Sequence, residues 1–146
     1  MQSMVRAGVS LATALILSAC AVAPIGPRGD FVPRSDYPHP LRTQSYAEPG
    51  QCRGGSKLSA VETPKPDYPR RAWKHGVQGW VIVELDVGLD GRTENVAVLR
   101  EAPAGWFNGV TVSAVEDWRF LPPQSGRLTD CLVRIDFKLG QVMIAG

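Results

Sequence analysis

The chain lacks any apolar run long enough to cross a bilayer. Its longest is "AGVSLATALILSA", 13 residues directly after Arg6, against the roughly 20 that a spanning helix needs. Histidine is nearly absent. His39 and His75 are far apart and lack metal-ligand spacing, and no phosphate-cradling glycine loop occurs. A surplus of one charge is missing too. With 16 basic and 14 acidic residues the net charge is +2, which calls for neither nucleic acid nor an anionic membrane surface as partner. Ser113 has no evident base beside it, so nothing suggests an enzyme, a cofactor or a small-molecule substrate. "DVGLDG" at 86–91 has the start of a calcium loop, but Gly88 and Ala97 stand where ligands are needed. It reads as a turn.

What is present begins with the start of the chain. A charged Arg6, an apolar middle and a small-residue end have the form of a secretory leader. Leu17-Ser18-Ala19-Cys20 resembles a bacterial lipobox, whose cysteine is acylated and becomes the mature N-terminus. The alternative is an ordinary leader with a chance cysteine. The lipobox resemblance implies a lipid anchor at Cys20 and an oxidising periplasm. Ala21 is not the aspartate that commonly signals inner-membrane retention, which favours the outer membrane. Cys52 and Cys131 then remain as an even pair and read as a disulfide; two unpaired buried thiols are the alternative.

Eight of the 12 prolines fall between Pro24 and Pro66. Residues 1–19 are expected to be the leader. Residues 20–57 are expected to be a Pro/Gly-rich tether with polyproline character, although Phe31, Tyr37 and Tyr46 leave open that it packs on the domain. The folded domain is placed at 58–146. In it, "PDYPRRAWKHG" predicts a short helix, with Asp67 as cap, Pro69 in the first turn and Gly76 at the end. Val81, Val83, Leu85 and Val87 alternate with Trp80, Ile82, Glu84 and Asp86, the pattern of a strand with one apolar face. "GLDG" turns it into a second strand bearing Val96 and Val98. Phe107, Val110, Ala114 and Trp118 then form a helical stripe, stopped by Pro122-Pro123. "CLVRIDFKL" alternates again, with Val133, Ile135, Phe137 and Leu139 inward. The order α-β-β-α-β predicts an α+β two-layer sandwich, a small antiparallel three-stranded sheet covered by two helices. Trp118 and Phe120 are expected to close the open end of its core.

Tyr68-Pro69, Ala72, Gly76 and Gly79, then Val81, Val83, Leu85 and Val87, Gly91, Phe107, Ala114, Trp118-Arg119-Phe120 and Pro122 or Pro123 together resemble the C-terminal domain of TonB-type energy transducers. The resemblance covers roughly residues 62–139. It implies a periplasmic protein-binding module whose last strand, a sheet edge, takes up a peptide of an outer-membrane TonB-dependent receptor as an added strand. By position the docking residues would be Leu132, Val133, Arg134, Ile135, Asp136, Phe137 and Lys138, with Tyr68 and Pro69 nearby. The departures are a lipobox in place of a spanning helix, a short tether, and Cys131 at the start of the docking strand.

Three functions follow as expectations. The first is a lipid-anchored periplasmic protein that binds a protein or peptide by strand addition. The second is a structural or assembly scaffold of the envelope without energy transduction. The third is a true transducer whose start only looks lipidated. Two surface features stand beside them, each with a plainer reading. Trp73, Trp80 and Trp106 would form an aromatic patch or else cover the core. Arg70, Arg71 and Lys74 would attract an acidic partner or else be a solvated helix face.

Overall fold

The computed structural model describes residues 29–40 and 48–145. Cys20, its lipobox and Tyr46 lie outside them. The elements are β1 (Ala60–Glu62), α1 (Arg70–His75), β2 (Gly79–Val87), β3 (Thr93–Ala102), α2 (Asn108–Glu116), β4 (Arg119–Phe120), β5 (Leu128–Lys138) and β6 (Gln141–Ala145).

The fold is α+β with two helices, as the element pattern predicts, but the main sheet has four strands in the order β3-β2-β5-β6. The expected three-stranded sheet is corrected by β6, which pairs antiparallel with β5 from Arg134↔Ala145 to Lys138↔Gln141. Leu139 (φ 50) and Gly140 (φ 73) make the two-residue connection. Both lie in the left-handed region, as the tightest hairpin turn requires. Leu139 is not a residue that advertises such a turn.

The core lies on one face of this sheet. Val81, Val83, Leu85 and Val87 of β2 are all fully buried. Cys131, Val133, Ile135 and Phe137 of β5 join them, with Ala72 of α1 and Val115 of α2 above. Each buried Val, Leu, Ile or Phe among them contributes about 1.5–3 kcal/mol by leaving water. The buried face of α2 runs through Thr111 and Val115; Val110 and Ala114 of the expected stripe are half-buried. α1 ends where Gly76 adopts φ 61 and ψ 30. Asp67 does not cap it: Pro69 stands at the N-cap without a side-chain hydrogen bond.

β1 and β4 form a separate two-stranded ribbon beside the β2–β3 turn. The Phe120 N–H donates to the Gly91 carbonyl at 2.8 Å. Gly91 has φ 80, and a Cβ there would run into the Phe120 carbonyl, so turn and ribbon both need glycine. Trp118 and Phe120 are 1% and 4% exposed. They close this end of the core as the sequence suggests, and the Trp118 indole N–H also donates to the Pro64 carbonyl at 2.9 Å.

The described parts of the expected tether pack on the domain. Phe31 joins the margin of the core. The Arg34 and Ser35 N–H groups donate to the Gly76 carbonyl at 2.8 and 3.3 Å. Two residues on, the Tyr37 hydroxyl donates to Asp136 at 2.6 Å, on the opposite face of the sheet. Residues 31–37 are therefore a strap that passes from the helix layer around the sheet end. The reverse face is itself partly apolar: Trp80, Ile82 and Leu132 are buried.

Candidate binding edge

Strand addition needs a row of backbone N–H and C=O groups with no partner. The residues expected to offer it are on β5, and β5 is an internal strand. On one side it pairs with β2 from Gly79↔Phe137 to Val87↔Leu128. On the other, β6 covers Arg134 to Lys138. The rest of that side is taken by the second docked stretch of the tether. Gly50 N–H donates to the Leu132 carbonyl at 2.7 Å, Leu132 N–H to Gln51 at 2.9 Å, and Arg53 N–H to Thr129 at 3.1 Å. The expectation that 132–138 forms an open edge is corrected on both grounds.

A covalent bond fixes the tether in that position. Cys52 and Cys131 are joined, 79 residues apart in sequence, and both are buried. Gln51 and Lys57 pair across a small hairpin, so the bridge pins a compact loop rather than a single residue.

The side chains of the expected site are shared between two layers. Val133, Ile135 and Phe137 point into the core. Asp136, on the reverse face, accepts from Tyr37 and pairs with Arg134 at 3.0 Å. Burial, and then the Asp136 carboxylate, push the Tyr37 hydroxyl well above the usual phenol range. Lys138 is exposed, with its ammonium 5.0 Å from the Tyr37 ring centre. Tyr68 is a core residue: its hydroxyl donates to the Val77 carbonyl at 2.7 Å, and its ring meets Phe31, Trp73, Phe107 and Phe137 edge-on or tilted. Pro69 starts α1 beside it. The structure thus brings Tyr68 next to Phe137 but leaves no open edge at β5.

Two strands remain at the sheet margins, β3 and β6, and they differ in kind. β3 carries Glu94, Arg100 and Glu101, two register breaks against β2, and Asn95 at φ 50. Charges and bulges are how edges are made unreceptive. β6 reads Gln-Val-Met-Ile-Ala, has no charge, and pairs with β5 without a register break. Val142 and Ile144 pack against the core, while Met143 is 43% exposed on the other face. Among the described residues β6 is the margin without charge or bulge. The alternation of Val142 and Ile144 after Gly140 is its only sequence signal.

The aromatic patch does not form, since Trp80 is buried on the reverse face and Trp73 belongs to the Tyr68 cluster. Trp106 lies beneath the Arg71 guanidinium, 4.2 Å from the ring centre. Asp90 accepts from the Arg92 N–H in the β2–β3 turn. Among the described residues no group of three or more His, Cys, Asp or Glu is placed to hold a metal ion.

Comparison with known proteins agrees with the fold. Residues 64–139 match the family model described as Gram-negative bacterial TonB protein C-terminal. Protein TonB of Escherichia coli K12 is 37% identical over 79 residues, which is 53% of this chain and 33% of that protein. Protein TonB of Pseudomonas aeruginosa is 32% identical over 78 residues, 53% of this chain and 23% of that protein. The chain therefore spans about a third or less of these curated relatives. The solution NMR structure of the Pseudomonas aeruginosa TonB C-terminal domain superposes with a TM-score of 0.51 and 27% identity, covering 60% of this chain and 92% of that one.

Proposed function

Since this chain belongs to the TonB C-terminal family, we propose that it is an envelope protein that takes up an extended peptide of a partner protein as a fifth strand on the outer edge of β6. The observation that carries this is the contrast between the two margins of the sheet, one charged and bulged, the other uncharged and regular. Backbone pairing would give affinity with little demand on sequence, and the surfaces beside Met143 and Ile144 would give specificity. An outer-membrane TonB-dependent receptor is the partner class the family suggests. No catalytic step belongs to this reading.

The anchor is part of the same proposal. Residues 1–19 would be removed as a leader, Cys20 would carry the lipid, and the domain would stand at the periplasmic face of the outer membrane. No helix among the described residues is long and apolar enough to cross a membrane.

A second reading, an envelope scaffold, is favoured by one feature: the Cys52–Cys131 loop closes the part of the β5 edge that β6 leaves uncovered. Amide hydrogen exchange separates the two. With a receptor-derived peptide added, the binding reading expects the fast amides of Gln141–Ala145 to become slow while those of Thr93–Ala102 do not change. Slowing at β3 alone, or none at any peptide concentration, would sink it and leave the scaffold.

A further inference from the structure

One end of the molecule combines cations with protruding aliphatic groups. It is built from α1, the strap before Tyr37 and the β5–β6 turn. Phe31 sits 5.2 Å from Trp73, centre to centre, and the Gly140 position lies directly against both rings. The strap's Val32 and the turn's Leu139 flank that contact, and they are 60% and 58% exposed. Around them stand Arg34, Arg70, Arg71, Lys74 and Lys138, every one exposed. The acids beside them are Asp30, Asp36 and Asp67, with Asp136 under Tyr37 paired to Arg134, so cations outnumber acids six to four. A net charge of +2 over the whole chain conceals this local excess.

We propose that this end lies on an anionic phospholipid surface. Two features favour lipid over an acidic protein. Val32 and Leu139 rise among the cations, with half-buried Trp73 packed on Phe31 between them, and that mixture suits the headgroup region of a bilayer. The chain also arrives at this end. The strap is bound to the Gly76 carbonyl, and Gly29 lies nine residues after Cys20, a reach of at most about 30 Å. This second argument rests on the anchor reading; the first does not. The arrangement would place the start of β6 at the membrane, where a peptide hanging from a membrane receptor would meet it.

The test uses the full chain as purified, on vesicles of phosphatidylcholine and on vesicles of equimolar phosphatidylcholine and phosphatidylglycerol. An amine-reactive label is read lysine by lysine. Lys74 and Lys138 should label about fivefold more slowly on the anionic vesicles, with recovery in high salt. Lys57, exposed on the Cys52 hairpin, should be unchanged. Equal labelling on the two vesicle types overturns the lipid surface, and slowing of Lys57 together with Lys74 and Lys138 overturns it in favour of simple tethering. The intact mass reports separately whether Cys20 is acylated. A bare Cys20 with Lys74 and Lys138 still protected defeats the anchor and keeps the surface. An acylated Cys20 without that protection does the reverse. Lys74→Gln should weaken the protection of Lys138, while Lys57→Gln should leave it unaltered.

Discussion

Cys52 of the tether is covalently joined to Cys131, the residue at which β5 enters the buried part of the sheet. The bridge spans 79 residues of sequence, and in the chain-entropy model a loop of that size contributes about 4.5 kcal/mol by restricting the unfolded chain. It also holds Gly50 and Gln51 in backbone pairing with Leu132. Reduction, or Cys52→Ser with Cys131→Ser, should lower stability by about 2–5 kcal/mol in urea unfolding. It should free the Gly50 and Leu132 amides to exchange, while Phe137, held between β2 and β6, stays slow. Loss of protection along all of β5 would show that the bridge holds the sheet and not merely the tether.

Much of the domain can be read from sequence because it rests on local rules. The alternation of 81–87, the Gly91 turn and the Gly76 helix end each need only neighbouring residues, and the structure has all three. β6 escapes because its turn, Leu139-Gly140, carries a side chain at a positive φ, and because five residues are too few to establish a period. The α2 stripe is displaced by one position because Thr111, a polar residue, is in the core. The docked strap has no period at all. It is held by Phe31 packing on Trp73 and by Tyr37 reaching Asp136, 99 residues away. The expected open edge at β5 is closed by β6, and the expectation has the same cause: without β6 in view, β5 reads as the last strand.

The strap should depend on the Tyr37 hydroxyl. Its bond to Asp136 is made to a carboxylate that is only 7% exposed, and hydrogen bonds to charged groups contribute about 1.5–3 kcal/mol. Tyr37→Phe should therefore expose residues 31–40 to limited proteolysis while the far-UV spectrum is unchanged. A strap that resists protease as well as the parent would mean that Phe31 and the Gly76 carbonyl hold it alone.

Trp118→Phe tests the closure of the other end. The substitution keeps an aromatic ring but removes the donor to the Pro64 carbonyl, 54 residues away, and shrinks a side chain that is 1% exposed. A loss of about 1–3 kcal/mol is expected, with faster exchange in the segment leading to α1. No change in stability would mean that Pro64 is held by its neighbours and that the indole N–H is replaceable by water.

Glu84 gives a pH dependence with a definite sign. It lies on the reverse face of β2, where burial first, and then Asp130 and Asp86, raise its carboxyl above the ordinary value of 4.5. The folded state therefore holds that proton more tightly than the unfolded chain. Its contribution to stability is fully present below the unfolded value and is lost as pH rises through the folded one. At neutral pH the charged carboxylate is a cost, and Glu84→Gln removes it. The variant should melt higher than the parent at pH 7, and the two should converge as the pH falls below about 4. The acidic neighbours are held in place beside it, Asp86 by Asn95 and by the Asp130 N–H, and Asp130 by Arg53. A stabilisation that persists in acid would assign the effect to the amide's packing, and a destabilised variant at pH 7 would mean that the carboxylate is engaged by a cation.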